Sequence, residues 1–156
     1  MALYDMTAEA RLITLADRAE IATLLDRYAR ALDDRTLDET LPALLTPDAT
    51  VGPPSEDHAG LGEVTRHLKD SLTAYGPTQH VFSNYLIDVK EDEASVRANT
   101  RATCVLQDSD ALYSTGGVLT ATAARTPYGW RLKSVTISPT WETKTPPKPN
   151  DPPEES

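Results

Sequence analysis

Apolar residues recur at helical spacing through the first half of the chain and alternate with polar ones through the second. Ile21, Leu24, Leu25, Tyr28 and Leu32 fall on one helical stripe. The preceding Asp17-Arg18-Ala19-Glu20 has the form of a capping box, which predicts a helix start with Asp17 as N-cap and Glu20 reaching back. Thr7 to Leu15 reads as a shorter, separate helix packed on the same core. Leu37, Leu41, Leu44 and Leu45 predict another helix over Asp38 to Leu45, closed by Thr46-Pro47-Asp48. Beyond a Pro53-Pro54 loop, Leu61, Val64, Leu68 and Leu72 predict a third amphipathic helix ending near Gly76-Pro77.

From His80 the period changes to two. His80 to Val89 reads as a strand and Glu91-Asp92-Glu93 as its turn. The next strand places Ala94, Val96, Ala98, Thr100, Ala102, Cys104 and Leu106 on one face, with Ser95, Arg97, Asn99, Arg101 and Thr103 on the other. Tyr113 to Arg125 forms a third strand, and Pro127-Tyr128-Gly129 turns it into Trp130 to Thr140. The apolar phase slips between Leu132 and Val135, the mark of a β-bulge. Helices followed by long antiparallel hairpins predict an α+β domain, a curved sheet with helices packed on one face. Small inward residues (Ala94, Ala98, Ala102, Ala121, Ala123) leave volume that is either a ligand cavity or filled by bulky helix residues.

At 156 residues the chain reads as one domain over residues 1–143, with 144–156 a Pro-rich acidic tail in extended form. A net charge of −9 and the lack of a basic stripe argue against nucleic acid. No apolar run approaches a membrane span, and Met1 to Asp5 lacks the pattern of a signal peptide. The single cysteine, Cys104, fits a reducing compartment, so a cytoplasmic protein is expected.

His80 is the side chain best suited to proton transfer near neutral pH. At about 100° per residue, Asp33 falls at the edge of the helical stripe and Asp34 points away from it. Asp33 is thus the carboxylate placed to meet a histidine; otherwise it is a solvated residue at a helix end and His80 a structural one. Phe82 and Asn84 share the face of His80 if the strand is regular. Tyr28 fits the core stripe, and Tyr113, Trp130 and Trp141 are either pocket-lining or packing aromatics. His58, His67 and His80 lack metal-ligand spacing, so no metal is expected. Cys104 faces inward among small residues and reads as core.

The string Asp17-Arg18-Ala19-Glu20-Ile21 through Leu25, Tyr28 and Leu32-Asp33, followed by Leu45-Thr46-Pro47-Asp48-Ala49, resembles the opening of SnoaL-like proteins of the nuclear transport factor 2-like superfamily. Thr78-Gln79-His80-Val81-Phe82-Ser83-Asn84 resembles that family's first long strand, and Tyr128-Gly129-Trp130-Arg131-Leu132 its last hairpin. The resemblance implies a conical barrel of a mainly antiparallel sheet with N-terminal helices on its concave face and a deep pocket between them. The superfamily's enzymes include scytalone dehydratase, polyketide cyclases and ketosteroid isomerase. In the dehydratase branch an aspartate near the end of the long helix pairs with a histidine on the first long strand, and Asp33 and His80 match those positions. The second histidine of scytalone dehydratase has no counterpart near Gly117 to Leu119. Leu32 and the loop near Pro53 stand where that enzyme has substrate-binding tyrosines.

Two functions follow as expectations. One is a cofactor-independent dehydratase, isomerase or cyclase acting on a hydrophobic oxygenated molecule, with His80 and Asp33 catalytic and Asn84, Phe82, Tyr28, Tyr113 and Trp141 contacting substrate. The other is a non-catalytic ligand-binding or assembly domain, and homodimerisation is expected under either.

Overall fold

A single 27-residue helix, α1 (Ala8–Asp34), carries both the stripe from Ile21 to Leu32 and the segment read as a separate shorter helix before it. The structure, a computed structural model, describes residues 2–53 and 57–145, so Pro54 and the tail from residue 146 lie outside the described residues. Thr7 is the N-cap, its side chain accepting from the Ala10 N–H at 3.2 Å. The expected helix start at Asp17 is therefore wrong. Nothing between Leu15 and Asp17 breaks the backbone ladder, and the Asp17 and Glu20 carboxylates face partners on the sheet rather than local N–H groups. Nor do the first turns pack on the core as expected, since Leu12, Ile13 and Leu15 are exposed.

The predicted helix at Asp38 to Leu45 shrinks to one turn, α2 (Leu37–Thr40), and a 3₁₀ turn over Leu41–Ala43. Pro42 lacks the N–H that a longer helix needs. Thr46-Pro47-Asp48 does not close a helix but lies in strand β1 (Leu45–Val51), in the register break between its parallel pairs with the last strand at Leu45 and Thr50. His58 belongs to a two-residue strand, β2 (His58–Ala59). Helix α3 (Leu61–Leu72) buries Val64, Leu68 and Leu72 as the spacing predicts. It ends before Gly76-Pro77, which lie inside strand β3 (Tyr75–Lys90), an edge strand where a missing N–H is tolerated.

Three more strands follow: β4 (Glu93–Leu106), β5 (Leu112–Thr126) and β6 (Gly129–Lys144). The sheet runs β2-β1-β6-β5-β4-β3, antiparallel except for β1 beside β6. It is open, with β2 and β3 as edges, rather than a closed barrel. The fold class is as expected: helices followed by a mainly antiparallel sheet. One strand-phase prediction holds in detail, because Lys133 is an extra residue between Ser134, paired with Thr122, and Leu132, paired with Ala123.

Ala94, Val96, Ala98 and Thr100 are buried while Ser95, Arg97, Asn99 and Arg101 face water, so α1 covers one face of the sheet. Ala94, Ala98, Ala121 and Ala123 share a single buried cluster with Leu24, Leu25, Tyr28 and Trp130, whereas Ala102, also expected inward, is only half-buried and lies outside it. Bulky helix and strand-end side chains thus fill part of the volume the small residues leave, while Val96 and Ala121 also line an open cavity of about 920 Å³.

Candidate acid–base site

Asp33 occupies the last turn of α1, and the backbone reverses at Arg35, whose left-handed conformation (φ 58°) directs its N–H back to the Ala31 carbonyl. The helix end therefore stands against the free edge of β3. There the His80 N–H points away from β4 and donates to both carboxylate oxygens of Asp33, at 3.2 and 3.0 Å. The His80 Nδ1 lies 2.7 Å from Asp33 Oδ1, which also accepts from the Thr78 hydroxyl at 2.9 Å. With the carboxylate acting as acceptor throughout, Nδ1–H is the donor, and in the neutral ring Nε2 then carries the lone pair. Both side chains are mostly covered, 13% and 20% exposed, so the pair is less screened than a surface ion pair. Asp34, by contrast, meets only Arg30, at 3.4 Å and with both side chains open to water. Helical phasing separated the two aspartates correctly.

The cavity that borders both members of the pair is an open cleft of about 370 Å³ along the α1–β3 seam, lined by Asp26, Ala29, Arg30, Gln79, Val81 and Phe82 besides the pair. This replaces the deep interior pocket expected for the dyad, because Tyr28, 1% exposed and stacked on Phe82 at 6.3 Å, already fills the interior behind it. A larger cavity of about 920 Å³ lies further along β3, bordered by Arg18, Ala22, Tyr85, Ile87 and Arg97. We place the site at the smaller cleft, because proton transfer needs a titratable pair and the larger cavity has no histidine in its lining.

Of the other expected contacts, Phe82 borders the cleft and Tyr28 backs it. Asn84 does not share their face: it sits at φ 56° in a break of the β3–β4 register between Ser83 and Leu86, exposed to water. The condition of a regular strand fails there. Tyr113 pairs across the sheet with Cys104, stacks on Tyr75 at 6.3 Å and donates to Glu142 at 2.6 Å, a bond that pushes its phenol up to about 12. Trp141 is on the opposite face from His80, over Gly116 and 5.8 Å from the Arg101 guanidinium. Burial raises the Cys104 thiol and keeps it in its unreactive form. Nothing in the sequence signals that Thr78 and Arg35 join the pair; strand spacing puts Thr78 on the face of His80, but only the fold brings both residues to Asp33.

Among the described residues no three metal-ligating side chains cluster. His58 and His67 instead stack at 3.7 Å, with His58 Nδ1 3.1 Å from Glu63.

The SnoaL-like domain family matches residues 14–136. Among solved structures, the Kfla4162 protein from Kribbella flavida is similar at 26% identity and a TM-score of 0.77, over 83% of this chain and 95% of its own. A candidate scytalone dehydratase from Novosphingobium aromaticivorans is 22% identical, with a TM-score of 0.76 over 96% of this chain and 99% of its own. A LinA-type3 hexachlorocyclohexane dehydrochlorinase from Novosphingobium barchaimii is 16% identical, with a TM-score of 0.77 over 86% and 93%. At those identities the last two share the fold. No curated protein matches the chain.

Proposed function

The chain belongs to the SnoaL-like domain family, and from that premise we propose that it is a cofactor-independent acid–base enzyme, a dehydratase, isomerase or cyclase. Its substrate is a hydrophobic, oxygenated small molecule such as a polyketide or steroid-like compound. The observation that carries this reading is the 2.7 Å contact of His80 with a carboxylate that the His80 backbone N–H also holds. His80 Nε2 takes a proton from a carbon beside a carbonyl, and the C–H electron pair becomes the new double bond. In dehydration the hydroxyl leaves with its bonding pair and takes the proton back from the imidazolium as water. Asp33 holds the ring and stabilises the imidazolium. The names of two structural relatives, a dehydratase and a dehydrochlorinase, favour elimination. Phe82, Val81 and Ala29 offer apolar contact to the substrate, and Gln79 and Arg30 polar contact.

The test is turnover in a screen of β-hydroxycarbonyl and polyketide-like compounds. His80→Ala is expected to lower turnover of an active compound by about 10²- to 10⁴-fold, with Asp33→Asn close behind and circular dichroism unchanged. Full activity in a folded His80→Ala protein rules the assignment out.

The packed interior behind Phe82 favours a second reading, a non-catalytic small-molecule-binding or homodimeric assembly domain. There the Asp33–His80 bond only ties helix to sheet. Under that reading His80→Ala lowers thermal stability and the screen yields no turnover.

A further inference from the structure

Resting on the acid–base reading of His80, we propose that Thr78 is a positioning residue that keeps the Arg35 cation from capturing Asp33. The Arg35 guanidinium donates to Thr78 Oγ1 at 3.0 Å, and Thr78 in turn donates to Asp33 Oδ1 at 2.9 Å. A hydroxyl has one proton. Because its oxygen already accepts from Arg35, that proton is directed to Asp33. Thr78 therefore stands between a cation and an anion that would otherwise pair directly, and a bidentate arginine–carboxylate pair is the stronger arrangement.

Arg35 is held in place for this role. It donates to the Leu32 carbonyl at 2.5 Å and to the Gly76 carbonyl at 2.8 Å, bridging the end of α1 to the start of β3. Its left-handed backbone is one that glycine adopts without steric cost. An arginine there points to use of the side chain, an inference from an observed outlier. With the chain Arg35–Thr78–Asp33–His80 intact, the carboxylate stays on Nδ1–H and the lone pair on Nε2. Without the hydroxyl, Arg35 reaches Asp33 and draws it off the imidazole.

The experiment reads the His80 tautomer by two-bond ¹H–¹⁵N correlation NMR, which needs neither substrate nor activity. Wild-type protein and Thr78→Ser are expected to show Nδ1–H and an unprotonated Nε2. In Thr78→Val the ratio of the two tautomers shifts toward Nε2–H by about five-fold or more, the worth of one hydrogen bond. Adding Arg35→Gln to Thr78→Val restores the wild-type ratio, since the competing cation is gone. An unshifted ratio in Thr78→Val, or a shift that Arg35→Gln leaves in place, overturns the proposal. Should Thr78→Val not fold, the wild type decides: a slowly exchanging Thr78 hydroxyl proton supports the arrangement, and its absence counts against it. Loss of activity in His80→Ala is a separate measurement, so the catalytic reading and the positioning role fail independently.

Discussion

Asp17 holds two donors from the far end of the chain, the Arg125 guanidinium at 2.9 Å through both nitrogens and the Trp130 indole N–H at 3.0 Å. The Arg125 hydrogen bonds, aided by that of Trp130, hold its carboxyl below the usual aspartate range against the opposing effect of burial. A folded-state pKa below the unfolded one adds stability that is fully present above the unfolded value, about 4, and is lost as pH falls through the folded value. Asp17→Asn is therefore expected to cost about 2–4 kcal/mol near neutral pH, less than a fully buried pair because Arg125 is partly open to water. Urea titrations should show that the gap between wild type and Asp17→Asn narrows below about pH 4; a gap independent of pH removes the electrostatic account. The acidic pair Asp17 and Glu20 has the spacing of a capping box, and spacing alone does not distinguish a local N–H from a distant one. His80 and Asp33 differ in that helical phase and strand phase each turned one of them toward the shared seam, so this pair was legible from local pattern plus family resemblance. Thr78 and Arg35 were not, because their roles depend on where the helix end meets the strand edge.

At the scale of elements, the break in β3 re-aims the strand's second half. Asn84 takes up the left-handed conformation, and Tyr85 then reaches back to donate to Asp26 on α1 at 2.5 Å. Asn84→Gly should leave stability unchanged or slightly raised, whereas Asn84→Val should lower it by about 1–2 kcal/mol, the cost of a β-branched residue at that φ. Equal denaturation midpoints for the two variants would falsify the strain argument. The bulge in β6 was foreseeable because it shifts a visible apolar phase at Leu132 and Val135. The one in β3 was not, because Asn84 and Tyr85 are polar or amphipathic and carry no clear phase. Gly129 shows the same dependence on neighbours. It turns β5 into β6 at φ 100°, and a Cβ there would come within 2.5 Å of the Glu20 carboxylate that receives the Trp130 N–H at 3.1 Å.

Across the whole molecule, α1 is the strut that fastens one end of the sheet to the other. Four of its carboxylates meet four places on the sheet: Asp17 at Arg125 and Trp130, Glu20 at the Trp130 backbone, Asp26 at Tyr85, and Asp33 at Thr78 and His80. Among the described residues the helix before Asp17 has no such ties to the sheet, and Leu12, Ile13 and Leu15 are exposed. Amide hydrogen exchange should therefore show residues 12–15 exchanging on the order of a hundred-fold faster than residues 21–32. Uniform protection along α1 would mean that a partner covers those first turns. None of the described helices is long and apolar enough to cross a membrane. The order of helices and strands, the apolar faces and the choice of Asp33 over Asp34 were written in local periodicity, since a helix or strand face depends on neighbours a few residues away. The joining of Asp33 to His80 spans 47 residues, and that of Asp17 to Arg125 and Trp130 spans 108 and 113. Only the packed fold decides such pairings, because a polar side chain's partner is set by which donors reach it once the core has closed.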